Sequence, residues 1–280
     1  MFNGLSDYVR KHDYLICVDS DGCAMDTMDC KHIHCFGPCM VTEWGLQEWE
    51  KPILDRWNEI NLYSMTRGIN RFKGLSMALT EIDAQYTPIA NLNDLQAWVD
   101  SGAAPSNDAL QKAIDETHSP ILQKAMAWSK AVNVAITQLP EEIKQPFPGV
   151  KEGLAAAAGF ADVAIVSSAN RDAVLEEWTK FELLGYVDIM LSQDYGSKAH
   201  CIAEMLKFGY SPDHVLMVGD APGDRAAAAD NGVYYYPILV RKEAESWTEL
   251  REMGFIHLQN GEYGNYEADC IAAFLKNLGG

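Results

Sequence analysis

Positive charge is scarce in this chain: 22 Lys and Arg face 40 Asp and Glu, a formal net charge of −18 at pH 7. A nucleic-acid binder must present a basic face to the phosphate backbone, and an anionic membrane surface asks for the same. The composition argues against both partners. Long apolar runs are missing as well: nowhere do eighteen unbroken apolar residues occur, and residues 1–13 hold no apolar stretch of signal-peptide length. A cytoplasmic protein is expected. Repeats and low-complexity tracts are absent, and 48% hydrophobic with 22% charged residues over 280 positions is ordinary globular composition, enough for one large core or two modest ones.

Cysteine is present in an odd number, as Cys17, Cys23, Cys30, Cys35, Cys39, Cys201 and Cys270, in a chain large enough not to need staples. The thiols are read as reduced. Cys30, His32, His34, Cys35 and Cys39 bring zinc-type ligands together, but their spacing lacks the paired pattern of a structural site, and no second pair follows. That stretch is expected to form a hinge and the first wall of an inserted domain, with His32 or His34 facing a pocket or solvent.

What is present begins with Asp19-Ser20-Asp21-Gly22, directly after the apolar run Tyr14-Leu15-Ile16-Cys17-Val18. Such a run reads as an interior strand of a parallel sheet, and ligands of open α/β sheets bind beyond the carboxyl ends of the strands. Asp, Ser and Gly also make ordinary turns. A calcium loop fits poorly, since it wants Gly at its sixth position and Glu at its twelfth, where this chain has Ala24 and Cys30.

Three further signals follow in order. Val163-Ala164-Ile165-Val166 leads into Ser167-Ser168; Lys198 follows the turn Asp194-Tyr195-Gly196-Ser197; and His214-Val215-Leu216-Met217-Val218 leads into Gly219-Asp220-Ala221-Pro222-Gly223-Asp224. With the first motif, these resemble the haloacid dehalogenase superfamily of phosphatases, whose pattern is DxD, a Ser or Thr after a strand, a Lys, and GDxxxD. The resemblance covers roughly residues 12–30 and 146–240.

It implies an α/β fold: a Rossmann-like parallel sheet flanked by helices, with an inserted all-α cap. It also implies Mg²⁺, held by Asp19, Asp220 and the backbone carbonyl of Asp21, with Asp224 acting directly or through water. Mg²⁺ suits carboxylates that would otherwise repel one another beside an anionic ester. Asp19 would attack phosphorus and form an aspartyl phosphate, and Asp21 would serve first as acid and then as base. Ser167 and Lys198 would contact the transferring phosphoryl oxygens. An acid at Asp21 favours phosphate esters, because by the same resemblance the dehalogenases and phosphonoacetaldehyde hydrolases lack one there. The chain departs from the family after Gly22, where Cys23 replaces the usual Thr.

The motifs divide the chain into a catalytic core of residues 1–28 and 146–280 and an inserted helical cap of residues 29–145. Leu46, Trp49, Ile53, Trp57 and Ile60 recur at helical steps, as do Ile121, Ala125, Trp128, Val132 and Ala135, and these stripes read as cap core. Ser119-Pro120 is a start signal for the second stripe. The helix-breaking Pro146-Phe147-Pro148-Gly149 marks the return to the core. Beyond it, strands are expected at 187–191 and 234–239, and helices at 171–184, with Asn170 as cap, and at 199–208, closed by Gly209.

By resemblance the cap is a lid that selects a small phosphorylated metabolite. Arg67, Asn70 and Arg71 lie in a stretch carrying three cations within seven residues, and with Ser168 and Asn170 they are the candidate substrate contacts. The expected activity is therefore that of a Mg²⁺-dependent phosphohydrolase. A phosphomutase with the same aspartates and a non-catalytic phosphometabolite-binding protein are the alternatives.

Overall fold

A computed structural model describes residues 4–102 and 105–280. Its chain folds as two compact units. One comprises the residues up to Met28 together with Glu142–Gly280, and the other is Asp29–Glu141.

The first unit is built on five parallel strands, β1 (Tyr14–Val18), β2 (Ala161–Val166), β3 (Ile189–Leu191), β4 (Val215–Gly219) and β5 (Tyr234–Pro237), in the order β3-β2-β1-β4-β5. The chain moves outward from β1 to β3, then crosses back to lay β4 on the other side of β1. This is the doubly wound pattern, with its switch point between β1 and β4. All residues of β2 and β4, and four of the five in β1, are buried. Sheets covered by helices on both faces select such continuous apolar strands.

Local chemistry sets the helix starts that matter here. Asn170 Oδ1 accepts the backbone N–H of Asp172 and of Ala173, capping Arg171–Lys180 as its sequence suggests. That helix is shorter than the expected 171–184, and Glu182 follows with a left-handed φ of +58°. Ser197 Oγ accepts from His200 N, so Lys198–Leu206 begins on Lys198 itself. Pro222 supplies the first residue of Pro222–Asn231, where a missing N–H costs nothing. The Pro146 turn pairs with the segment after β1: Phe147 N donates to Ala24 O and Asp26 N to Gln145 O. Strand β3 starts two residues later than expected, because the Asp188 carboxylate accepts from Val163 N at the point where the ladder would continue.

The second unit is helical throughout its described elements, including Glu50–Leu62, Arg71–Gln85, Asn107–Thr117 and Pro120–Thr137. Its core gathers the predicted stripes: Ile53, Trp57, Ile60, Ile121, Ala125, Trp128 and Val132 are all buried. Ser119 begins its helix as expected, but its hydroxyl donates to Asp94 Oδ2 instead of accepting from the helix. Among the described residues, no helix is long and apolar enough to cross a membrane.

Candidate active site

Asp19 is the first residue past β1 and Asp220 the first past β4, so the central strand pair carries both to the switch point. Asp19 N–H donates to Val218 O, continuing the β1–β4 ladder by one bond. Asp224 sits in the first turn of Pro222–Asn231, where its Oδ2 accepts from Ala221 N at 3.0 Å. A carboxylate there gains from the orphan N–H groups and the helix dipole. Gly219 makes this fit possible, since a Cβ at that position would fall inside the Asp224 side chain.

Asp19, Asp220 and Asp224 are 5%, 1% and 0% exposed, and they present oxygens that all lie within 4.8 Å of one another. No other group of three or more His, Cys, Asp or Glu among the described residues brings its ligand atoms together in this way. Lys198 enters from its helix start, with Nζ 2.8 Å from Asp19 Oδ2 and 2.5 Å from Asp224 Oδ1. Burial pushes the Asp19 carboxyl up to about 6, with Lys198 pulling it down and Asp224 pushing it further up. Asp224 is raised as well, again first by burial, against Lys198 and with help from Asp220. Burial disfavours the Lys198 charge, but Asp19 and Asp224 outweigh that and hold its ammonium well above the usual lysine value.

Three buried carboxylates thus converge, two of them, Asp19 and Asp224, on one ammonium. A hard divalent cation with oxygen ligands fits that donor set, and Asp19, Asp220 and Asp224 are the side chains that could hold it.

Asp21 stands just beyond, half-buried, and its Oδ1 accepts from Thr27 Oγ1 at 2.5 Å. The loop between them is closed by Ser20 O, which accepts from the N–H groups of Cys23, Ala24 and Met25, and by Gly22 at φ +82°. Two indoles fasten it. Trp178 Nε1 donates to Ser20 Oγ and Trp247 Nε1 to Cys23 O, both at 2.9 Å. Cys23 is buried, with its thiol directed to Val218 O at 3.5 Å and pushed well above its ordinary pKa by burial and the nearby carboxylates. Sequence reasoning missed Thr27 and the two tryptophans, whose partners become visible only once the turn is built.

Ser167 is buried at the end of β2, where its Oγ accepts from Ala169 N; Ser168 and Asn170 are exposed, Asn170 as the helix cap. The basic stretch lies in the helical unit. There Arg67 is buried, donates to Leu62 O at 2.7 Å and lies 3.6 Å from Asp29. Arg71 donates to Ser129 Oγ and Asn133 Oδ1 over the Phe36 ring. Asn70 caps Arg71–Gln85 and donates to Pro105 O. Contacts within that unit thus engage all three side chains. In the cysteine-rich stretch, His32 is buried and stacked on Phe36, while His34 is exposed.

Fold and site together are those of an α/β protein with a buried acidic centre at the switch point of its sheet. A family model for haloacid dehalogenase-like hydrolases matches residues 82–237, just over half of the sequence, and the chain belongs to that family. The match takes in Ser167, Lys198, Asp220 and Asp224; Asp19 and Asp21 lie before it. No curated protein sequence matches the chain. Among solved structures, a candidate phosphoglycolate phosphatase from Lactobacillus delbrueckii subsp. bulgaricus is 14% identical, with 81% of this chain and 86% of that one covered at a TM-score of 0.50. A candidate haloacid dehalogenase-like hydrolase from Bacteroides fragilis is 13% identical, with 84% and 93% covered, also at 0.50. These likenesses show the shared fold.

Proposed function

We propose that the protein is a Mg²⁺-dependent phosphohydrolase that cleaves a small phosphate monoester through an aspartyl phosphate on Asp19. The observation that carries this reading is the buried cluster of Asp19, Asp220, Asp224 and Lys198, with Asp21 two residues beyond Asp19.

Asp19, Asp220 and Asp224 are the side chains that would hold Mg²⁺, with the backbone carbonyl of Asp21. When bound, the ion supplies positive charge that offsets the ester oxygens and the carboxylates around them. Lys198 keeps Asp19 ionised against its burial, which an attacking carboxylate requires. Asp19 attacks phosphorus, the bond to the ester oxygen breaks, and Asp21 gives its proton to the departing alkoxide. Asp21, now a carboxylate, takes a proton from the water that attacks the phosphoenzyme, which frees Asp19 and inorganic phosphate. Ser167 donates to the transferring oxygens. The helical unit, inserted between the first and second motifs, takes the substrate-selecting role.

Screening phosphorylated metabolites for released phosphate, with and without a chelator and beside Asp19→Asn, tests this. Chelation and the substitution should each abolish turnover. Metal-independent release would reject the mechanism, and an isomeric ester in place of free phosphate would make the enzyme a mutase.

A further inference from the structure

Ser20 is the single residue between the two carboxylates that the proposed reaction uses. It is fully buried, and both of its oxygens are engaged. Its carbonyl closes the turn by accepting three N–H groups, and its hydroxyl accepts from the fully buried Trp178 indole at 2.9 Å. Trp178 belongs to Arg171–Lys180, the helix that starts four residues past Ser167. One buried hydrogen bond therefore ties the loop after β1 to the helix after β2. Any rotation of the Ser20 peptide planes would swing Asp19 and Asp21 together.

From this geometry we infer that Trp178 and Ser20 form a positioning strut that fixes the direction of both aspartates. The two side chains bond to each other and act on the aspartates through the turn, and the Ser20 backbone N–H also donates to the Asp19 carboxylate. A buried indole N–H without its acceptor is costly, so the loop is held in the one arrangement that satisfies it. The carbonyl of Cys23 receives the second indole, Trp247, so the turn is braced at both of its ends. The inference rests on the phosphohydrolase reading for its catalytic consequence, but the placement of Asp19 can be read without turnover.

The test compares wild type, Ser20→Ala, Trp178→Phe and the double variant by kcat and KM on para-nitrophenyl phosphate, by Tm, and by calorimetric titration with Mg²⁺. Supports one shell removed from a metal or reacting group are worth about 10- to 100-fold in affinity or rate. Each single variant should lose kcat, and Mg²⁺ affinity, by about tenfold or more with KM within about twofold; the double variant should be no worse than the worse single. Should Trp178→Phe not fold, Ser20→Ala against Ser20→Thr, which returns the hydroxyl, carries the test, and Thr should recover most of the loss. A folded Ser20→Ala with kcat and Mg²⁺ affinity within twofold of wild type overturns the strut, as do single losses that multiply in the double variant. If wild type releases no phosphate from any ester, the phosphohydrolase reading fails and the Mg²⁺ titration alone decides the strut. A wild type that neither turns over nor binds Mg²⁺ overturns both.

Discussion

Lys198 Nζ lies 2.8 Å from Asp19 Oδ2, joining the first residue of a helix to the first residue past a strand. The same ammonium reaches Asp224, so one cation serves two buried carboxylates. Removing one partner of a buried pair leaves the other charge uncompensated, at about 3–5 kcal/mol. Lys198→Met should therefore lower kcat by at least about a hundredfold and lower the Tm of the metal-free protein. Steady-state kinetics and thermal melts check both, and near wild-type turnover would remove Lys198 from the site.

On the proposed reading Mg²⁺ should stabilise the folded protein, because Asp19, Asp220 and Asp224 stand past β1, past β4 and in Pro222–Asn231 and gather only on folding. At a hundred times its dissociation constant, a ligand specific for the native state adds about 2.7 kcal/mol. Wild type should melt higher with Mg²⁺ than with a chelator. Asp220→Asn should lose most of that gain.

Thr27 holds Asp21 by a hydrogen bond to an ionisable acceptor, an interaction worth about 1.5–3 kcal/mol. Thr27→Ala should cut kcat about tenfold or more, and Thr27→Ser should restore it. Equal rates in the two variants would show that the hydroxyl does not place Asp21.

Asp162 is fully buried at the start of β2. Burial pushes its carboxyl up, but the Tyr210 hydroxyl, the N–H groups of Lys11 and His12 and the His12 ring outweigh that and hold it below the ordinary carboxylate value. A carboxyl depressed in the folded state adds stability above its unfolded pKa, about 3.9, and that stability is lost as pH falls through the folded value. Tyr210→Phe should cost about 1.5–3 kcal/mol at pH 7. The gap from wild type should narrow below about pH 4. Denaturant melts at several pH values read it, and a gap that stays constant into acid would discount the carboxylate.

Much of the centre was legible because three of its motif residues directly follow apolar runs. Asp19, Ser167 and Asp220 follow β1, β2 and β4 directly, and Lys198 begins a helix at a Ser cap. The buried stripes of Trp57 and Trp128 were legible from helical period alone. Arg71 was not, since its partners Ser129 and Asn133 lie about sixty residues away and a cluster of cations looks the same in sequence whether solvated or packed. Thr27 escaped for a related reason: six residues of extended chain would carry it far from Asp21, and only the turn closed by Ser20 O brings it back. The start of β3 drifted where the Asp188 side chain captured Val163 N, and the helix after Asn170 stopped early where Glu182 turns left-handed.

Gly219 gives the experimenter an unusually small handle. It ends β4, and the space where a methyl group would go is already filled by Asp224. Gly219→Ala would add one carbon and two hydrogens to the whole molecule, yet it would displace Asp224 from its seat beside Lys198. The acidic centre is thus packed so closely against the end of β4 that a single methyl group reaches it.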